Sequence, residues 1–224
     1  MHNQGQYLQN KVVFLPDGSE VSSRTDADFI KFSFTNHQKR ITPLASLLNF
    51  DCVSKFPLDY MHLVLLGVMK RMLQFITKGP LNCRLSSNQI KQISTKLKSY
   101  SGLMPSEFNH QPRGLDDFPH WKATELRQFL LYLGPIFLKG IVSESMYEHF
   151  LRLHIALSIL LNDSKEFRDH FLGYSRNLLL WFVSKSQDIY GKGFVTYNVH
   201  SLIHLCEDVS KFSKLLKLLV CFQV

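Results

Sequence analysis

The sequence is short of what a secreted, membrane-bound or familiar catalytic chain carries. Its four cysteines, Cys52, Cys83, Cys206 and Cys221, are far apart and none forms a CxxC pair. That excludes a readable disulfide framework or a complete zinc ribbon, and favours reduced, buried thiols of an intracellular protein. The opening Met1-His2-Asn3-Gln4-Gly5-Gln6 has no apolar signal-peptide core. The most apolar stretches, Leu151–Leu161 and Leu215–Val220, are too short for a membrane span and are broken or flanked by charge or histidine. A nuclear or cytoplasmic location is expected, with no membrane partner and no secretion. No Gly-rich phosphate loop, nucleophile elbow or Cys–His pair stands out. Acid is scarce as well. Eighteen Asp and Glu face 26 Lys and Arg, a net charge of +8.

What is present describes a folded protein. The 224 residues are 45% hydrophobic and 20% charged, with 18 Phe, which suits one large domain or two small ones with a real core. The basic excess favours an anionic partner such as DNA, because Lys and Arg contacts to phosphate dominate non-specific affinity. Lys70, Arg71, Lys91 and Lys98 are the leading candidate contacts, with Lys39, Arg40, Lys96, Lys211, Lys214 and Lys217 behind them. The competing reading of these residues is a solvated helix face.

Residues 1–56 read as irregular, with a turn signal at Phe14-Leu15-Pro16-Asp17-Gly18 and a short strand at most at Val12-Val13-Phe14. Helical periodicity then governs residues 57–210. A first helix follows Pro57 through Leu58, Met61, His62, Leu65, Leu66, Met69, Met72 and Leu73, with Lys70 and Arg71 on its outer face, and stops at Gly79-Pro80. A second starts at a capping-box pair, Ser86 and Gln89. A loop over 101–120 leads to a third from Trp121, interrupted at Gly134-Pro135. Ser145 with Glu148, and Asp163 with Glu166, cap a fourth and a fifth, and a sixth spans about Asn198 to Val209. The expected fold is mainly α, a helical bundle of about six helices after an irregular N-terminal segment. Residues 211–224 form an apolar tail whose exposure would drive self-association.

Three short constellations carry candidate chemistry. Asp59 and His62, three apart on a helix, share a face and could bind one metal or fix each other by a hydrogen bond. Alternatively, Asp59 caps the first turn and His62 is a satisfied core histidine. His200 and His204 have the i, i+4 spacing that chelates a cation, but Ser201 stands where a metalloprotease needs Glu. Two buried polar rings are the plainer alternative. Glu125, beside Lys122 and Arg127, is a catalytic acid or the first-turn carboxylate that suits a helix dipole.

Three strings in order, Phe56-Pro57-Leu58-Asp59-Tyr60-Met61-His62-Leu63-Val64-Leu65-Leu66-Gly67-Val68, Trp121-Lys122-Ala123-Thr124-Glu125-Leu126-Arg127-Gln128-Phe129-Leu130 and Tyr197-Asn198-Val199-His200-Ser201-Leu202-Ile203-His204-Leu205, resemble animal transposase-like proteins of the CACTA (En/Spm-like) superfamily. The likeness covers roughly residues 7–210. It implies a ribonuclease-H-like core whose three carboxylates hold two Mg²⁺ or Mn²⁺ ions for strand cleavage and transfer, interrupted by a helical insertion to which most of this chain corresponds. Asp59 and His62 match the family's Asp-or-Cys-x-x-His signature. The family's first two catalytic Asp precede the matched region, as does a CxxC pair that would share a zinc with His200 and His204. Its closing Glu is expected where this chain reads Lys211-Phe212-Ser213-Lys214. The resemblance therefore implies a transposase-derived chain truncated at both ends. Its catalytic metals would not be held productively, Glu125 would be the fallback third acid, and half a zinc site would remain. DNA binding would survive without strand transfer. The other reading is a helical protein–protein interaction module with no nucleic-acid role.

Overall fold

The computed structural model describes residues 6–8, 11–14, 24–35, 38–108 and 110–220, apart from the side chains of Lys11 and of residues 213–220. The turn predicted at residues 15–18, Cys221, and the side chains of Lys214, Lys217 and the apolar tail lie outside the described residues. The described residues fall into two compact units, one within Pro16–Leu58 and one within Gly5–Leu15 and Asp59–Val224.

The smaller unit is mostly irregular. Its short helix α1 (Asp26–Ile30) begins at Thr25, whose hydroxyl accepts from the Asp28 amide, and a 3₁₀ turn covers Pro43–Ser46. Asp26 ties the unit together by accepting from the Cys52 amide at 2.7 Å, and Asp51 caps the turn that follows through the amides of Val53 and Ser54.

The larger unit is a helical bundle with one small hairpin, as periodicity predicts. Strand β1 (Gln6–Leu8) pairs antiparallel with β2 (Lys11–Val13). This hairpin belongs with the helices, because the Phe14 amide donates to Val195 O at 2.8 Å and the Phe14 ring stacks on His200. A division at residue 56 separates what the structure joins. The short strand expected at Val12-Val13-Phe14 is present as β2, three residues long, but so short a run carries no sign of the contact with Val195, more than 180 positions away.

Six helices follow among the described residues. Helix α2 comprises Met61–Met69, wound as a π-helix, and Lys70–Lys78; α3 is Ser87–Ser99. Helix α4 comprises Ala123–Gln128, a π-wound Phe129–Leu133, and Gly134–Phe137. Helices α5 (Glu144–Leu160) and α6 (Lys165–Tyr190) form a tight antiparallel pair. Helix α7 starts at Tyr197–Ser201, passes through a 3₁₀ turn at Leu202–His204 and continues over Leu205–Val220, with non-helical backbone at Phe212. None of the described helices is long and apolar enough to cross a membrane.

Local chemistry sets the helix starts. The Ser86–Gln89 capping box is present, with Ser86 Oγ accepting from the Gln89 amide and Gln89 Oε1 accepting from the Ser86 amide at 3.0 Å. Helix α5 is capped by Ser143, not Ser145, and α6 by Ser164, not Asp163. In each case neighbouring residues had equal capping chemistry, and the helix phase that buries the apolar stripe selected one of them. That stripe buries Phe150, Leu153 and Leu157 of α5 and Leu178, Leu179 and Phe182 of α6, with Phe150 turned to Phe129 of α4 and His149 stacked on Phe182 of α6. Each such side chain contributes roughly 1.5–3 kcal/mol by leaving water.

The expected break at Gly134-Pro135 does not occur; Gly134 is helical and the chain runs on to Phe137. The preceding π turn has already left the i→i−4 ladder that a proline ring obstructs. A glycine stands within the first π-wound stretch and directly after the second, each where a side chain would strike the carbonyl five residues earlier. A Cβ at Gly67 would sit 2.8 Å from His62 O, and one at Gly134 would sit 2.8 Å from Phe129 O and collide with the Phe150 ring. Gly134→Ala is accordingly expected to cost about 1–3 kcal/mol, the usual penalty of overpacking, and this can be read as a lowered urea midpoint. An unchanged midpoint would show that the π winding relaxes at no cost.

Candidate functional site

The first turn of α2 holds Asp59 and His62. Asp59 Oδ1 accepts from the amides of Met61 and His62 at 2.9 and 3.2 Å, so this carboxylate is the cap that the helix start requires. Its other oxygen meets His62 Nδ1 at 2.5 Å. Partial burial pushes the Asp59 pKa up, but the His62 ring and the two amides together hold it below the ordinary carboxylate value. His62 is exposed rather than a core histidine.

Glu125 stands on the first turn of α4 and is buried, 6% exposed. Oε1 accepts from Arg113 Nε at 2.7 Å, and Oε2 accepts from Arg113 Nη2 and the Lys122 amide, both at 2.8 Å. Burial raises its pKa, and the Arg113 guanidinium and the Lys122 amide more than reverse that, leaving it below the ordinary value. Arg113 also holds Asp117, which in turn accepts from His120. Sequence reading missed Arg113 as the partner because it lies twelve positions before Glu125, across a connection that includes a 3₁₀ turn at Leu115–His120.

These two carboxylates do not fit a two-metal centre. Every Glu125 oxygen is committed to a cation or an amide, and both Asp59 oxygens are engaged within their own turn. Among the described residues, no group of three or more His, Cys, Asp and Glu is placed to hold a metal. His200 and His204 do come together on α7, with ring centroids 5.9 Å apart and nearly perpendicular. His200 is buried and stacks on Phe14 at 5.5 Å, while Cys206 is buried nearby in the chain, its thiol pushed up to about 11 by burial. Among the described residues these two rings do not belong to a group of three or more His, Cys, Asp or Glu placed to hold a metal.

Of the four basic candidates, Lys70 and Arg71 depart from expectation. They are half-buried rather than on an outer face, because π winding takes more residues per turn than 3.6 and shifts the helix phase ahead of them. Lys70 Nζ donates to Pro119 O at 2.8 Å. Arg71 Nε donates to Phe194 O at 2.9 Å and Nη2 to Gly193 O, while the guanidinium lies over the Phe75 and Phe194 rings. Burial pulls the Arg71 pKa down from its ordinary value. Lys91 is exposed on α3, and Lys98, on the same helix, pairs with Asp116 at 3.3 Å across the surface.

Lys70 and Arg71 open onto a surface cleft of about 380 Å³, lined also by Leu66, Gly67, Gln74, Thr196, Tyr197 and Asn198. The cleft brings the first and third strings singled out in the sequence to one place, and Gly67 makes this possible: a Cβ there would collide with the Asn198 amide. No acid lines the cleft.

The fold and this site define a mainly helical protein with a cationic cleft. No protein-family profile matches the chain, and no curated protein or solved structure matches it.

Proposed function

We propose that this chain is a transposase-derived helical domain of the CACTA type that binds DNA through phosphate contacts and does not cut it. The observation that carries the reading is the half-buried pair Lys70 and Arg71, neither of which meets a carboxylate among the described residues, beside an acid-free cleft. Their partners are neutral carbonyls, so both half-buried groups keep their full charge at the cleft wall, and phosphate is the anion that matches Lys and Arg. The net charge of +8 supplies the wider attraction, with exposed Lys91 among the further contacts. The lack of cleavage follows from commitment: Glu125 is neutralised by Arg113, and Asp59 is spent on capping α2.

Incubating the purified chain with supercoiled plasmid and Mg²⁺ or Mn²⁺ tests the second half of the proposal. The plasmid is expected to shift on a gel without being nicked. Metal-dependent nicking lost in Asp59→Ala would overturn it.

A further inference from the structure

The Lys70–Arg71 cleft has the parts of a site for one nucleotide unit. Its volume, about 380 Å³, falls within the range of roughly 300–1,000 Å³ common for small-ligand sites. Lys70 uses one of its three N–H groups on Pro119 O, leaving donors for a ligand oxygen. Arg71 is held rigidly by the carbonyls of Gly193 and Phe194, which fixes its charge at the wall without cancelling it. Thr196 and Asn198 add polar side chains, and the Thr196 hydroxyl is not spent on capping α7. Tyr197 contributes an aromatic ring that is 56% exposed. An exposed tyrosine in a cleft with two cations and no acid is the combination that serves stacking of a base beside its phosphate.

We propose that this cleft binds a single nucleotide, with Lys70 and Arg71 taking the phosphate and Tyr197 stacking on the base. The inference deepens the DNA-binding reading and rests on it only for the source of the nucleotide, free or within a strand. A strand would place one nucleotide in the cleft while the exposed lysines hold its neighbours.

The test is a titration of the ¹⁵N-labelled full chain with inorganic phosphate, adenosine 5′-monophosphate and adenosine, followed through backbone amide shifts. The monophosphate is expected to move the amides of Gly67, Lys70, Tyr197 and Asn198 more than either fragment does. Lys70→Gln is expected to weaken both phosphate and the monophosphate about tenfold, the loss of one charge-assisted contact. Tyr197→Ala, which also gives up the edge contact of this ring with Phe14 at 5.9 Å and is therefore checked for an unchanged fold by its amide spectrum, is expected to weaken only the monophosphate, by about tenfold or more. Shifts that avoid these amides, or variants that bind the monophosphate as the parent does, overturn the cleft. A short oligothymidylate strand separates the two levels. Strand binding unchanged by both variants overturns the nucleotide site and leaves DNA binding standing. Monophosphate binding with no strand binding keeps the site and overturns the proposed function.

Discussion

Glu125→Ala is expected to destabilise the larger unit by about 3 kcal/mol and to leave any response to Mg²⁺ or Mn²⁺ unchanged. The carboxylate is buried and accepts two bonds from Arg113 and one from the Lys122 amide. Deleting it strands the amide at the start of α4 and leaves Arg113 with Asp117 and the His120 carbonyl as its remaining partners, its Nε without one. Removing one partner of a buried pair typically costs about 3–5 kcal/mol, and the 39% exposure of Arg113 puts this case at the low end, since water can reach the freed guanidinium. The pH dependence has a definite sign. The folded pKa of Glu125 lies below its ordinary 4.5, so its stabilisation is present above that value and is lost as pH falls through the folded pKa. Chemical denaturation of both proteins at neutral pH, with and without divalent cation, checks this. A variant as stable as the parent, or a parent stabilised by metal through Glu125, would return this residue to the list of metal-binding acids.

A second large effect sits between α5 and α6. His149 is fully buried, stacks on Phe182 at 3.8 Å and faces Tyr190 and Trp181. Its Nε2 donates to Phe182 O at 2.8 Å, which makes the buried Nδ1 the acceptor of a neutral ring, without a hydrogen-bond partner. Burial, opposed by the Phe182 carbonyl and reinforced by Arg152, lowers the pKa from 6.5 to about 4. Between those values the unfolded chain binds a proton that the folded chain refuses. Stability is therefore full above about 6.5 and falls as pH drops towards 4, by about 1.4 kcal/mol per pH unit and on the order of 3 kcal/mol in all. His149→Leu is expected to flatten this window. The Phe182 carbonyl keeps the Ser186 hydroxyl as a donor at 2.8 Å, so the variant should remain folded at neutral pH. Urea midpoints at pH 7 and pH 5 provide the comparison. Parallel losses in parent and variant would assign the acid sensitivity to other groups, the Arg113 cluster first among them.

Much of the fold was legible because it rests on local signals. The six-helix count, the Ser86–Gln89 box and the stripe from Met146 to Leu160 each follow from residues within a few positions of one another. The π winding at Met61–Met69 and Phe129–Leu133 was not legible, since its stabilisation comes from packing rather than from any nearby residue pattern, and it carried Lys70 and Arg71 inward. The candidate site was legible as residues but not as an arrangement. Asp59 and Glu125 were found by type, yet their partners decide what they do, and Arg113 is distant in sequence. His149 could have been suspected from its place among Met146, Phe150 and Leu153, where a histidine must be buried. The cleft could not. It joins Gly67 to Asn198 across 130 positions.

The proposed function requires that the chain grip phosphate. The affinity of a fluorescein-labelled DNA duplex for the full chain, measured by anisotropy across a KCl series, tests this directly. Log affinity is predicted to fall linearly with log salt, with a slope of about −0.9 for each phosphate held, and to be insensitive to duplex sequence. Binding that is absent at low salt, or that does not change as salt rises, would contradict it.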